Sequence, residues 1–259
     1  MTPNFFIVGA AKSGTTSLDR YLSQHPEIYI APRKETHFFA ADHFLPPFIG
    51  PGDEWLNKRV IWDKDQYARL FANVTGEKAI GESSVFYLCF PGTAERIAQA
   101  VPNAKLIIIL REPAARTHSA YMHAVRDGRE TLEFAESLNR EEERRKKGFE
   151  PLWWYKELGL YYEQVKRYLD VFGTRQVKVL LNDELRANPE LVLHDVFVFL
   201  GVKEDVVIDT SVRYNVAGVP RSWRLYTFLH NFIEKTSVLE KHRKASISSH
   251  TQEVWANKA

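Results

Sequence analysis

The chain has 259 residues, with 35 lysines and arginines against 33 acidic residues and a net charge of +2. Hydrophobic content of 44% and charged content of 26% are ordinary for a folded protein, which excludes disorder over most of its length. The single cysteine, Cys89, excludes an intrachain disulfide framework and a cysteine-rich zinc site, and the near-balanced charge argues against a nucleic-acid coat.

Phe5–Gly9 reads as a strand, and residues 15–24 as the helix after it. Residues 28–31 are a second short strand, 63–72 a helix, and 79–82 a brief buried strand. Residues 91–100 read as a helix with Pro91 in its first turn. Lys105–Leu110 is the clearest strand, because its apolar run contains three isoleucines, as suits a strand buried on both faces. A helix follows over Pro113–Arg126. Residues 140–147 hold three Glu-first i,i+4 pairs, Glu141/Arg145, Glu142/Lys146 and Glu143/Lys147, which predict a solvated helix face. Tyr161–Phe172 predicts a helix and Val177–Leu181 a last buried strand.

This alternation predicts an α/β fold: a three-layer sandwich of the P-loop type, with a central, mainly parallel sheet flanked by helices. One domain is expected over residues 1–235, followed by a polar tail over 236–259. The apolar runs fall far short of the ~20 residues a membrane span needs, and no basic leader precedes Phe5. The expectation is a cytoplasmic protein with no transmembrane segment and no nucleic-acid partner.

The segment Gly9-Ala10-Ala11-Lys12-Ser13-Gly14-Thr15-Thr16-Ser17 joins the first strand to the first helix. Small residues let backbone approach an anion, and a helix N-terminus turns N–H groups toward it. An ordinary strand–turn–helix needs one capping residue, Ser13 or Thr15. A lysine, a glycine and a run of hydroxyls exceed that need. A Walker A loop places lysine directly after its second glycine. Here Thr15 follows Gly14 and the lysine stands earlier, at Lys12. A P-loop kinase or NTPase, which would demand Mg²⁺ and a Walker lysine, is therefore the second reading.

Lys-Ser-Gly-Thr-Thr after a first strand resembles the 5′-phosphosulfate loop of sulfotransferases that use 3′-phosphoadenylyl sulfate. Leu110-Arg111-Glu112-Pro113, with Ser119 eight residues after Arg111, resembles that family's second signature. Glu35-Thr36-His37-Phe38-Phe39 is similar to the Glu-x-His-Phe-Phe segment of members that sulfate sugar hydroxyls, and Arg213 to Ser222 resembles a late loop folded over the nucleotide. The resemblance implies roles. Lys12 would meet the leaving oxygen, and Ser13, Gly14, Thr15, Thr16 and Ser17 the 5′-phosphate. Arg111 and Ser119 would hold the 3′-phosphate, Arg221 would close over the nucleotide, and Glu35 would be the general base. His37 is the rival base or the orienter, since two residues apart on an extended segment the pair would share a face. Lys34 and Arg116 are further candidates for a cationic pocket.

The donor implied is 3′-phosphoadenylyl sulfate, with no metal. His25, His37, His43, His118 and His123 are scattered, and His118/His123 lack the i,i+4 spacing of a helical zinc pair. The acceptor would be a hydroxyl on a saccharide, lipid, polyketide or small alcohol. Ser83 stands where glycosaminoglycan enzymes carry lysine, which argues against a highly anionic acceptor. Trp153 and Trp154 are core residues or acceptor contacts, and Tyr161 and Tyr162 resemble a family segment near the acceptor. A degenerate member that binds nucleotide without turnover is the third reading.

Overall fold

The computed structural model describes residues 2–212. Its strands are β1 (Phe5–Gly9), β2 (Ile28–Ile30), β3 (Ala79–Ser83), β4 (Lys105–Leu110) and β5 (Val177–Leu181). Its helices begin with α1 (Thr15–Leu22), α2 (Glu54–Asn57), α3 (Lys64–Arg69), α4 (Thr93–Ala100) and α5 (Pro113–Arg126). They continue with α6 (Phe134–Asn139), α7 (Glu141–Lys146), α8 (Tyr161–Phe172), α9 (Asn182–Ala187) and α10 (Pro189–Leu200).

The five strands form one sheet in the order β2-β3-β1-β4-β5, and every pairing is parallel. Alternation along β1 and β4 sorts their side chains onto the two faces. Phe6, Val8, Leu106 and Ile108 pack with residues of α4, α5 and α8, among them Ile97, Ala120 and Tyr168. Phe5, Ile7, Ile107 and Ile109 pack with Leu18 and Leu22 of α1 and Leu193 and Val196 of α10. Each fully buried aliphatic chain of this kind contributes ~1.5–3 kcal/mol. The result is the three-layer sandwich expected from the strand pattern. Among the described residues no helix is long and apolar enough to cross a membrane.

Several boundaries differ from expectation for local reasons. The helix predicted from residue 91 starts at Thr93, because Gly92 takes a left-handed φ of 75° and leaves Pro91 outside. The helix predicted over 63–72 is trimmed to α3, with Asp63 as a cap that accepts from Gln66 N at 2.6 Å. The charged run is only partly a solvated face. Lys146–Glu142 and Lys147–Glu143 pair at 2.6 Å, but Glu141 is buried and accepts from the amides of Lys156 and Glu157. Arg145 turns to Glu157 instead, at 3.3 Å. The end of the proposed domain and the polar tail lie outside the described residues.

Because every strand is parallel, all carboxyl ends lie along one edge of the sheet. The segments after β1, β2, β3, β4 and β5 are thereby gathered into one region.

Candidate functional site

The loop after β1 turns tightly into α1. Lys12 has a left-handed φ of 69° and Gly14 one of 100°. A Cβ at Gly14 would lie 2.5 Å from Asn182 Nδ2, so both the backbone and the space require glycine. Asn182, the first residue after β5, donates from Nδ2 to Ser13 O at 2.9 Å and ties the loop to the far side of the sheet. Gly14 is the N-cap and no side chain caps α1. The first-turn amides therefore lack intrahelical partners and carry the positive end of the helix dipole. Thr15, Thr16 and Ser17 line the cavity that opens there, of about 920 Å³. Ser13 lies behind them, fully buried, its Oγ without a partner among the described residues.

Arg111 and α5 form a second wall. Arg111 follows β4, approaches Lys12 O through Nη1 at 3.4 Å, and has its own carbonyl fixed by Tyr161 OH at 3.0 Å. Glu112 starts α5 by accepting from the amides of Ala114 and Ala115 at 2.9 and 2.6 Å. His118, Ser119 and His123 then project from α5 into the same cavity. Burial pulls the Lys12 ammonium down to about 8, with Arg126 the next largest influence. His123 is pushed down to about 4, first by burial and then by Lys12. Arg126 Nη2 donates to its Nδ1 at 2.6 Å, which places the proton of the neutral ring on Nε2, 3.5 Å from Asp127.

The strap after β2 carries the two candidate bases. It is not extended: Glu35 has φ 58° and His37 φ 49°. The two side chains remain neighbours, but only Glu35 reaches the cavity. Glu35 lines the cavity with 17% of its side chain exposed, whereas the His37 ring is wholly buried behind it, 3.6 Å away. Phe44 and Phe86 stack on His37 at 5.1 and 5.5 Å between centroids, and neither ring nitrogen has a hydrogen bond among the described residues. Burial drives its pKa to about 3, so the imidazole is neutral at any working pH. Glu35 Oε2 accepts from Val85 N at 2.9 Å. Burial lifts its carboxyl above the ordinary range, against Lys34, the Val85 amide and Arg59.

A left-handed backbone in a non-glycine residue costs about 1–3 kcal/mol, and such residues cluster at functional sites. Among the described residues it occurs at Lys12, Glu35 and His37, the three that the sequence singled out for chemistry.

Beyond Glu35 the cavity is walled by Trp55, Leu56, Arg59, Phe86 and Glu150. Glu150 shares Arg129 with the buried Asp53, and burial lifts it to about 7. None of these wall residues, nor Asn182 or His123, was found from sequence. Asn182 had a usable signal, because the first residue after a parallel strand faces the same edge as the phosphate loop. Residues 52–59 had none, since they lie between recognisable elements.

Other candidates lie elsewhere. Arg116 is fully buried and donates to Tyr155 O, so it belongs to the core and not to a cationic pocket. Lys34 pairs with Asp19 of α1 at 3.9 Å and is not on the cavity wall. Ser83 is buried at the end of β3. Trp153 is 1% exposed, with the guanidinium groups of Arg129 and Arg144 at 5.2 and 4.7 Å from its ring. Trp154 packs against Arg145 at 5.1 Å. Tyr161 serves Arg111, and Tyr162 is 74% exposed outside the cavity. His25 and His43 bond to the carbonyls of Lys203 and Pro91, and no cluster suited to a metal occurs among the described residues. Arg221 and the loop from Arg213 to Ser222 lie outside the described residues.

Comparison with known proteins bears on the whole arrangement. A crystal structure of a sulfotransferase from Alicyclobacillus acidocaldarius is 57% identical, superposes with a TM-score of 0.81, and matches over 86% of this chain and 89% of that one. The membrane-associated sulfotransferase kil1 of Dictyostelium discoideum is 38% identical over 48% of this chain and 23% of its own length. The human heparan sulfate glucosamine 3-O-sulfotransferase 3B1 is 27% identical over 82% of this chain and 49% of its own. The chain thus spans less than half the length of either curated relative. A profile of the sulfotransferase family matches residues 3–205, so the chain belongs to that family.

Proposed function

We infer that this sulfotransferase moves the sulfuryl group of 3′-phosphoadenylyl sulfate onto an acceptor hydroxyl. One observation carries the reading: Lys12, Glu35, Arg111 and Ser119, from three separate segments, line a single cavity. The donor set suits a polyanion. It offers an uncapped helix start, the hydroxyls of Thr15, Thr16 and Ser17, an ammonium and a guanidinium. The buried Ser13 Oγ under the loop, without a partner among the described residues, is a further polar group within this nest.

In the reaction the acceptor oxygen forms a bond to sulfur as the bridging S–O bond to the 5′-phosphate breaks, in line. Most of the work is positioning and charge stabilisation, as in phosphoryl transfer. Lys12 meets the negative charge that builds on the departing oxygen. Glu35 takes the proton of the acceptor hydroxyl, which leaves 3′-phosphoadenosine 5′-phosphate, the sulfated acceptor and a protonated Glu35. The heparan sulfate relative brings a saccharide to the front of the acceptor classes, ahead of lipid, polyketide or small alcohol. A cytoplasmic setting accompanies the reading, since one cysteine in 259 residues suits a reducing compartment.

A thermal-shift series tests the donor. At 100 times its Kd, 3′-phosphoadenosine 5′-phosphate is expected to stabilise the fold by about 2.7 kcal/mol. Stabilisation by ATP·Mg²⁺ alone would turn the reading to a kinase, and stabilisation without turnover on any acceptor to a degenerate member. Arg111→Ala is expected to lower affinity for the 3′-phosphorylated nucleotide by about 10–10²-fold, the worth of a charged hydrogen bond. Its 3′-hydroxyl analogue should be little affected. Equal losses for both would remove Arg111 from the 3′-phosphate.

A further inference from the structure

Beneath the strap that presents Glu35 lies a second carboxylate, on β3. Glu82 is fully buried and has no cationic partner among the described residues. Four hydroxyls converge on it. Thr36 Oγ1 and Ser84 Oγ donate to Oε1 at 2.7 and 2.5 Å, and Tyr67 OH and Tyr87 OH donate to Oε2 at 2.9 and 3.0 Å. Burial lifts the Glu82 carboxyl above the ordinary range, and the four hydroxyl donors act against that by favouring its ionised form.

The same hydroxyls hold the strap. His37 N donates to Ser84 Oγ at 3.1 Å, and Phe39 N donates to Tyr87 OH at 3.2 Å. Each hydroxyl therefore accepts from the strap and spends its own proton on Glu82. Thr36, between the two left-handed residues Glu35 and His37, is bound to Glu82 directly. Glu35 N closes the set by donating to Ser83 O at 2.9 Å. Alternate amides of the strap are thus answered from β3 and the turn after it, and the side-chain bonds among them run through one carboxylate. Phe38 also stacks on Tyr67 at 4.1 Å, so the tyrosine that anchors Glu82 braces the strap from the other side.

We propose that Glu82 is a positioning residue for sulfuryl transfer: through Thr36, Ser84 and Tyr87 it holds the left-handed strap that aims Glu35 into the cavity. The proposal rests on the reading that Glu35 takes the acceptor's proton. The groups around Glu35 are Lys34 and His37 on its own strap, Arg59 after α2, the Val85 amide after β3, and Glu82 on β3. Burial is the largest cause that raises the proton affinity of Glu35, and Glu82, the one other carboxyl among these groups, adds to it in its ionised form.

The test is Glu82→Gln, with binding of 3′-phosphoadenosine 5′-phosphate as the check on folding. The amide keeps the shape and one acceptor oxygen, but its NH₂ faces hydroxyls that donated to the carboxylate, so those bonds must be rearranged. The expected result is a fall in kcat of about 10–10²-fold, the cost of a misplaced base, with KM for the sulfuryl donor unchanged. The acid limb of kcat/KM should also move to lower pH, because loss of the anion lets Glu35 ionise sooner. A merely structural residue would not move that limb. Wild-type kcat, or an unmoved acid limb, in a variant that still binds nucleotide would overturn the proposal. If Glu82→Gln does not fold, Tyr67→Phe removes one donor and leaves the carboxylate. It should then lower kcat several-fold at constant KM, and an unchanged kcat would refute the role. Glu35→Gln is run alongside. Wild-type turnover there defeats the base reading and this proposal together. An inactive Glu35→Gln beside a wild-type-like Glu82→Gln defeats the positioning role alone.

Discussion

Glu35→Gln is expected to lower kcat by at least ~10²-fold while leaving the thermal shift with 3′-phosphoadenosine 5′-phosphate unchanged. Glutamine keeps the size of the side chain and the bond from Val85 N, so the wall of the cavity survives. What disappears is the ability to accept a proton. The wild-type enzyme should lose activity as pH falls through the Glu35 pKa, which burial holds above the ordinary carboxylate value. Burial holds the His37 ring neutral to well below the ordinary imidazole value, the opposite direction from Glu35. Stopped-time assays of both enzymes across pH, with nucleotide binding in parallel, decide the matter. Near-wild-type turnover of the glutamine variant would refute the assignment.

Lys12→Met should be as damaging, at about 10²–10³-fold in kcat, the usual loss when one donor to a developing oxyanion is removed. Methionine preserves much of the apolar stem, so the loss reports the charge. The pH dependence has a definite sign. In the free enzyme the ammonium loses its proton as pH rises through about 8, so kcat/KM should fall on the alkaline side there. In kcat the same limb should move to higher pH, because the phosphates of the bound donor stabilise the cation. A methionine variant with an unchanged alkaline limb would show that another group titrates.

The parts of the fold that were legible in the sequence are those with periodicity. The isoleucine run of β4 announced burial on both faces, and Pro113 announced the start of α5. α10 was not read, because Pro189–Leu200 is apolar on most of its surface and its run of valines, leucines and phenylalanines shows little helical period. The site divides in the same way. Lys12, Arg111 and Ser119 sit directly after strands or on a well-marked helix, and the cavity holds all three. Glu35 and His37 were placed on one face by assuming an extended strap. The strap is left-handed at both residues instead; the two side chains still meet at 3.6 Å but only Glu35 faces the cavity, and the partners of the strap lie some fifty residues away, in the hydroxyls around Glu82. A conformation imposed by distant partners leaves no local trace in the sequence. Trp55, Arg59 and Glu150 escaped for a related reason, since irregular segments bring them to the cavity.

The bond from Asn182 to Ser13 spans 169 residues of chain. The loop after β1 is made among the earliest residues, yet its clamp directly follows β5, the last strand among the described residues. Contacts of such separation form only after long-range closure of the chain. On the ribosome, therefore, the loop has its contacts with Ile109 and Arg111 before the one with Asn182 can form. Any chain interrupted before Asn182 lacks this clamp on its own first loop.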